Sequence, residues 1–79
     1  AYYFFPATHG YGRSGVPDII ACVNGRFLGI ECKAGTNKPT ALQVRELERI
    51  RMTNGTAIVV NEENWDMVRP LVRRLKELS

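Results

Sequence analysis

Residues 18–31 read DIIACVNGRFLGIE, two apolar runs of strand type separated by the dipeptide Asn24-Gly25. An Asn-Gly pair in this position is a strong indication of a β-hairpin with a two-residue turn. Because the turn length fixes the register, the residues of the two strands are predicted to pair as Val23 with Arg26, Cys22 with Phe27, Ala21 with Leu28, Ile20 with Gly29 and Ile19 with Ile30. The next pair in this register joins Asp18 to Glu31.

Two carboxylates are therefore predicted to face each other at the open end of the hairpin. Directly opposed side chains have Cβ atoms about 4.5–5.5 Å apart, and like charges at that separation are destabilising. The pair then requires a raised pKa on one acid or a bound cation. Lys33 is expected on the same face as Glu31, because strand side chains alternate with a period of two. Each motif alone is common in ordinary turns and solvated strands, but together an Asp, a Glu and a Lys suit metal-dependent phosphodiester hydrolysis.

The motifs around these residues resemble a known family. GVPD at Gly15 to Asp18 precedes the hairpin, and IECKAG at Ile30 to Gly35 and PTALQ at Pro39 to Gln43 follow it. This order looks like the core of the PD-(D/E)xK nuclease superfamily, and it most resembles the VRR-NUC (virus-type replication-repair nuclease) domain over residues 2–61. The chain departs from that pattern in one respect. No Asp or Glu precedes Asp18, so we expect no N-terminal core helix carrying an acidic residue.

The resemblance implies an α/β fold of the restriction-endonuclease type in a single domain, residues 1–79. Its small mixed sheet would contain an N-terminal strand, the hairpin and a parallel strand reached through a crossover helix, with helices flanking the sheet. From the residues themselves, these elements are predicted as a strand over Tyr2 to Ala7, a helix over Thr40 to Asn54 stopped by Gly55, a strand over Thr56 to Asn61 and a last helical region broken or restarted at Pro70.

The charges of the carboxylate pair and the resemblance together suggest a catalytic set. Asp18 and Glu31 would bind Mg²⁺ or Mn²⁺, hard cations that prefer oxygen ligands, and the resemblance adds the backbone carbonyl of Cys32 as a ligand. The cation would lower the pKa of a water molecule, while Lys33 would orient that water or stabilise the charge that grows on the phosphate. Gln43 fits a capping box with the helix N-cap, yet the resemblance also implies a site role for it.

Basic residues in the loops are the predicted DNA contacts. Arg13 and Lys38 flank the carboxylate pair in the sequence, and with Ser14 and Thr40 they are assigned to the DNA backbone, whose phosphates dominate non-specific affinity. His9 is the only histidine and lies in the same glycine-rich loop as Arg13, so it is kept as a further candidate. The bases of the two helices are interspersed with Glu and are interpreted mainly as solvated faces.

The aromatic residues are concentrated near the N-terminus, where five of the seven fall in the first eleven residues. A strand with aromatic side chains on both faces must be covered on both faces, and a second copy of the chain is a natural candidate. Short members of the resembling family that act alone are similar to Holliday (four-way) junction resolvases that work as homodimers. The sequence thus suggests a junction-cleaving homodimer in viral or phage DNA metabolism or repair. The alternatives are a less selective repair or restriction-type endonuclease, or a metal-stabilised DNA-binding module without catalysis.

Composition limits the remaining possibilities. The chain has 79 residues and a net charge of +3, so a single small core must hold it together. Cys22 and Cys32 are predicted on opposite faces of the hairpin, which disfavours a disulfide and suits a reducing, intracellular and cytoplasmic location. No signal-peptide pattern is seen, and no apolar stretch approaches the ~20 residues that a membrane span needs.

Overall fold

Residues 1–7 and 15–78 are described by a computed structural model of the chain. Four strands form one sheet in the order β1-β2-β3-β4, in which β1, β2 and β3 are antiparallel neighbours and β4 is parallel to β3. This confirms the predicted α/β class with a small mixed sheet and two helices. The elements are β1 (Tyr2–Phe4), β2 (Ile19–Val23), β3 (Arg26–Cys32), α1 (Ala41–Met52), β4 (Thr56–Val60), a short 3-10 helix (Trp65–Met67) and α2 (Val68–Glu77).

The Asn-Gly hairpin forms with the predicted register. Asn24 and Gly25 have φ values of 54° and 77°, and a type I′ turn requires a positive φ at both of these positions. All five predicted pairs, from Val23 with Arg26 to Ile19 with Ile30, are present. Asp18 lies one residue before β2 and therefore reaches the level of Glu31 on β3.

The two faces of the sheet are covered by different helices. On one face, Ile50 of α1 packs so closely on β3 that a Cβ placed at Gly29 would lie 2.9 Å from its Cδ1 atom. Side chains alternate along β3, so Glu31 shares this face with Gly29, while Leu28 and Ile30 point to the other face. There α2 contributes to the core cluster, which consists of Ala21, Val23, Leu28, Ile30, Val60 and Leu75.

The C-terminal end of α1 differs from the prediction. The helix ends at Met52, and the residue with left-handed backbone is Asn54, with a φ of 67°. The backbone N–H of Gly55 donates to the Ile50 carbonyl at 2.9 Å, and a Cβ placed at Gly55 would lie 2.8 Å from Ile50 Cγ2. The glycine is therefore required for close packing and not for a positive φ.

The first strand and the last helix also differ from the predictions. The first strand covers Tyr2–Phe4 and does not extend to Ala7. Pro70 neither breaks nor restarts the last helix, because it lies in the first turn of Val68–Glu77, where backbone N–H groups have no partner within the helix.

Cys22 and Cys32 are both free and exposed, and the alternation of strand side chains places them on opposite faces of the hairpin. No helix within residues 1–7 and 15–78 has the length and apolar character to cross a membrane.

Candidate functional site

Glu31 is a buried carboxylate at the carboxyl end of β3. Only 2% of its side chain is exposed, and its Oε2 atom lies 3.5 Å from Lys33 Nζ. Its other oxygen, Oε1, is buried without a hydrogen-bond partner. A buried carboxylate oxygen that lacks a partner is costly, and such an atom commonly marks the position of an ion or a water molecule. Glu31 therefore has one oxygen held by Lys33 and one free to bind a cation.

Asp18 is fixed beside Glu31 by a backbone contact. Its Oδ2 atom accepts a hydrogen bond from the N–H of Cys32 at 2.9 Å, which spans the open end of the hairpin. This places the two predicted acids together, on the face of β3 that Lys33 shares. The backbone of Lys33 is fixed in turn, because its N–H donates to the Val60 carbonyl on β4 at 2.9 Å.

Burial and nearby negative charge raise the pKa values of two groups in the site, Glu31 and Cys32. Burial, followed by the charge of Asp18, raises the pKa of Glu31 above its ordinary value of 4.5, and the charge and hydrogen bond of Lys33, with a hydrogen bond from the Asp18 backbone, partly oppose the shift. Burial and the charges of both acids also raise the pKa of the Cys32 thiol. Since a nearby cation stabilises the ionised forms of such groups, the site is electrostatically suited to bind one.

The number of side-chain ligands is small. Within residues 1–7 and 15–78, no group of three or more His, Cys, Asp or Glu side chains is arranged to hold a metal ion. A cation at this site would thus rest on the two carboxylates together with backbone oxygen and water, a combination that hard divalent cations accept.

Gln43 and Thr40 form the predicted capping box at the start of α1. The N–H of Thr40 donates to Gln43 Oε1 at 2.9 Å, and the N–H of Gln43 donates to Thr40 Oγ1 at 3.2 Å. The Gln43 side chain is half-buried on the same helix face as the buried Leu47. Its capping role is confirmed, and its role in the site stays a prediction.

Gly15, three residues before Asp18, lies against the first turn of α1. A Cβ placed at Gly15, whose φ is +84°, would lie 2.7 Å from the backbone carbonyl atoms of Leu42 and 3.0 Å from the Gln43 nitrogen. Pro17, two residues later, is buried and packs over Gly29 of β3. The GVPD segment is therefore held between α1 and the sheet, immediately before Asp18.

Substituting Gly15 tests this packing. Gly15→Ala combines a strained φ with a backbone clash, whereas Gly25→Ala carries only the strain, because no atom lies within 4 Å of a Cβ at Gly25. We expect Gly25→Ala to cost about 1 kcal/mol and Gly15→Ala clearly more, with a melting temperature lower by roughly 4–8 °C for each kcal/mol. Thermal unfolding followed by circular dichroism measures both, and equal melting temperatures would contradict the close approach of Gly15 to α1.

The remaining predicted site residues are His9, Arg13, Ser14, Lys38 and Thr40. His9, Arg13 and Ser14 lie outside the described residues. Lys38 is exposed in the loop between β3 and α1, and Thr40 caps the helix that follows this loop.

Hydrogen bonds to the residues that follow β4 form a clamp on the loop between β3 and α1. This clamp was not predicted from the sequence. Both carboxylate oxygens of Glu62 accept a hydrogen bond from the Gly35 N–H, at 2.9 and 3.1 Å, and Asn61 Nδ2 donates to the Gly35 carbonyl at 3.3 Å. Hydrogen bonds from the backbone of Glu62 itself and of Gly35 hold the pKa of the Glu62 carboxyl below its usual value. The clamp fixes the chain two residues after Lys33. Its sequence signal is the run of polar residues directly after a buried parallel strand.

Together the fold and the site define an α/β protein with a carboxylate pair and a lysine at the carboxyl end of a central strand. The chain is 39% identical over 62 residues to Putative nuclease p44 of Acyrthosiphon pisum secondary endosymbiont phage 1, and the match covers 77% of this chain and 67% of that protein. The chain belongs to the family of this phage protein. No family model matches the chain, and no solved structure does either.

Proposed function

We propose that the chain is a metal-dependent DNA endonuclease that hydrolyses phosphodiester bonds. The observation that carries the proposal is the buried and unpartnered Oε1 atom of Glu31, next to Asp18 and Lys33. The name of the related phage protein supports nuclease activity. The motifs GVPD, IECKAG and PTALQ, together with a parallel strand reached through α1, support assignment to the VRR-NUC type of the PD-(D/E)xK superfamily.

The site residues fit Mg²⁺ or Mn²⁺. Asp18 and Glu31 would hold the cation with hard oxygen atoms, and the backbone carbonyl of Cys32 is proposed as a further ligand. The unpartnered Oε1 atom of Glu31 and its raised pKa both fit a carboxylate that Lys33 alone does not fully stabilise. When bound, the cation would supply an acidified water molecule and a positive charge for the phosphate.

The side chains of the chain would orient the reacting groups. Lys33 is 19% exposed, so its ammonium lies in a shielded position where it stabilises negative charge on a phosphate more strongly than in open water. Cys32 N–H keeps Asp18 directed across the hairpin end. Gln43, on the first turn of α1, is proposed to hydrogen-bond the attacking water or a phosphate oxygen.

The DNA backbone is proposed to lie across the loops on either side of the carboxylate pair. Lys38 and Thr40 are both exposed at the start of α1 and would contact phosphates there. Arg13 and Ser14, with His9 as an additional candidate, would contribute from the glycine-rich loop, which precedes Asp18 in the chain. Such contacts supply affinity without base sequence preference.

The N-terminal strand supports a homodimer. β1 is an edge strand of the sheet, and Tyr2, Tyr3 and Phe5 have 71%, 62% and 66% of their surface exposed. Edge strands with exposed apolar side chains favour association with another chain. A two-fold dimer matches the two-fold symmetry of a four-way DNA junction, and we therefore propose the junction as the preferred substrate.

Cleavage assays and sedimentation equilibrium test substrate and assembly together. We expect a dimer at micromolar protein and paired, symmetric nicks in a four-way junction with Mg²⁺ or Mn²⁺, but no nicks in EDTA. Paired incisions follow because the second site is held at high effective concentration after the first cut. In Phe5→Asp, a charge in the proposed interface should weaken the dimer and uncouple the two incisions.

Three other outcomes would contradict parts of the proposal. Equal cutting of a junction and a linear duplex of the same sequence indicates a less selective repair or restriction-type endonuclease. Binding without cutting in either cation indicates a DNA-binding module without catalysis. A monomer that releases singly nicked junctions overturns the resolvase assignment and leaves the nuclease assignment standing.

A further inference from the structure

Trp65 lies between two surface depressions. Half of its surface is exposed, and it lines a depression at the carboxyl ends of β3 and β4 that also includes Lys33. It also lines a wider groove along α2, which we call the α2 groove. The α2 groove consists of Trp65, Val68 and Val72 with the bases Arg69, Arg73 and Lys76, and it has Asp66 near the Trp65 end. Trp65 is the lining residue that the two depressions share, and it lies between the bases of α2 and Lys33.

The bases of the two helices differ in their pairing. On α1, Arg49 and Arg51 form ion pairs with Glu46 and Glu48, at 3.5 and 2.8 Å. On α2, four bases stand against one acid in the sequence VRPLVRRLKE. In the described part of the chain, the three bases of the α2 groove form no ion pair. Two of the three arginines of α1 are therefore paired with Glu, whereas α2 carries an excess of positive charge.

The spacing of these charges suits a polyanion. Arg69, Arg73 and Lys76 are separated by four and three residues and so lie on one face of the helix. From the first to the last, the helix rises about 10 Å, so the three charges form a short row along the groove. Val68 and Val72 form an apolar floor beside this row of charges. An exposed indole at its end offers a flat surface of the kind on which an unpaired base stacks.

We propose that the α2 groove and Trp65 bind a single-stranded segment of DNA and lead it toward Lys33. The phosphates follow the three bases of the groove, and one unpaired base stacks on Trp65. The inference rests on the proposed function, since it names the part of a DNA substrate that reaches the site from the α2 side. It predicts a preference for substrates that carry unpaired nucleotides next to the cut.

Intrinsic fluorescence gives a direct test, because Trp65 is the only tryptophan in the chain. The full chain is titrated in EDTA, where no cleavage occurs, with a short oligothymidine and with a blunt duplex of equal length. We expect saturable quenching by the single strand and clearly weaker quenching by the duplex. No quenching by the single strand, or equal quenching by both, overturns the proposal.

Variants separate stacking from charge. Trp65→Ala should lower the affinity for a labelled oligothymidine about tenfold, as loss of one stacked base predicts, and Trp65→Phe should retain most of it. Arg73→Ala should lower the affinity and reduce the slope of log affinity against log salt by about 0.7. Arg45→Ala removes the same charge from α1, so its salt slope should match that of the wild type. Equal effects of Arg73→Ala and Arg45→Ala would overturn the groove as the binding path.

The test distinguishes failure of this inference from failure of the proposed function. Wild-type protein that quenches with oligothymidine but cuts no DNA in Mg²⁺ or Mn²⁺ supports the groove and contradicts the nuclease. Protein that cuts DNA while Trp65→Ala leaves affinity unchanged supports the nuclease and contradicts the groove. Far-ultraviolet circular dichroism of each variant verifies that the fold is retained before affinities are compared.

Discussion

Asp18→Asn is expected to abolish DNA cleavage while the fold is retained. The amide oxygen of Asn still accepts the hydrogen bond that Cys32 N–H donates to Asp18 at 2.9 Å, so the end of the hairpin stays closed. The negative charge is lost, and with it one of the two carboxylates that would hold the cation. Nicking of a four-way junction in Mg²⁺ and Mn²⁺ measures the loss, and Glu63→Gln, which removes an exposed acid elsewhere, should cut normally.

Although Asp18→Asn should lose activity, its thermal stability in EDTA should not fall. Asp18 contributes to the raised pKa of Glu31, so its neutralisation removes a repulsion from the folded state, and the melting temperature should stay equal or rise. Divalent cations that bind only the folded state should raise the melting temperature of the wild type. The same cations should raise the melting temperature of Asp18→Asn much less. Full cleavage by this variant would overturn the site, and a lower melting temperature in EDTA would indicate that the Asp18 charge has a structural role.

The raised pKa of Glu31 predicts how the stability of the metal-free protein depends on pH. Because the pKa of Glu31 is raised in the folded chain, the folded state binds more protons than the unfolded state from about the ordinary pKa of 4.5 up to the raised value. The contribution of Glu31 to metal-free stability is therefore greatest at low pH and falls as pH rises through this window. Glu31→Gln should remove that part of the pH dependence.

The hairpin shows which part of the site the sequence could predict. Two adjacent residues, Asn24 and Gly25, determine the turn, and the turn determines every pair up to the end of the strands. The proximity of Asp18 and Glu31 follows from this local rule with no knowledge of the rest of the fold. The burial of Glu31 does not, because it depends on how the GVPD segment and α1 pack over β3.

Contacts between distant parts of the chain could not be predicted in this way. Glu62 and Gly35 are 27 residues apart, and neither lies in a motif that requires the other. The α2 groove was not predicted for a related reason, since the sequence shows four bases and one acid on α2 but not which side chains line a groove. On α1, each of the acids Glu46 and Glu48 has an Arg three residues later, which is the spacing at which helical side chains pair.

Lys33→Met is expected to reduce turnover by about a hundred- to a thousandfold, the usual effect of removing one group that stabilises a developing negative charge. Met keeps the length of the side chain but not its charge, and DNA affinity in Ca²⁺, which also takes oxygen ligands, should change little. The reason is that the Lys33 side chain is only 19% exposed and its Nζ atom lies 3.5 Å from Glu31 Oε2, so the effect of its charge is local to the site.

Loss of the ammonium should also be visible without DNA. The charge and hydrogen bond of Lys33 lower the pKa of Glu31, so in Lys33→Met that pKa rises further and the pH window of falling stability becomes wider. By contrast, Lys38→Met removes an exposed lysine and should weaken DNA binding without this change in pH dependence. If affinity and turnover fall together in Lys33→Met, Lys33 anchors a phosphate in the ground state, because a group that acts only in the transition state leaves ground-state affinity unchanged.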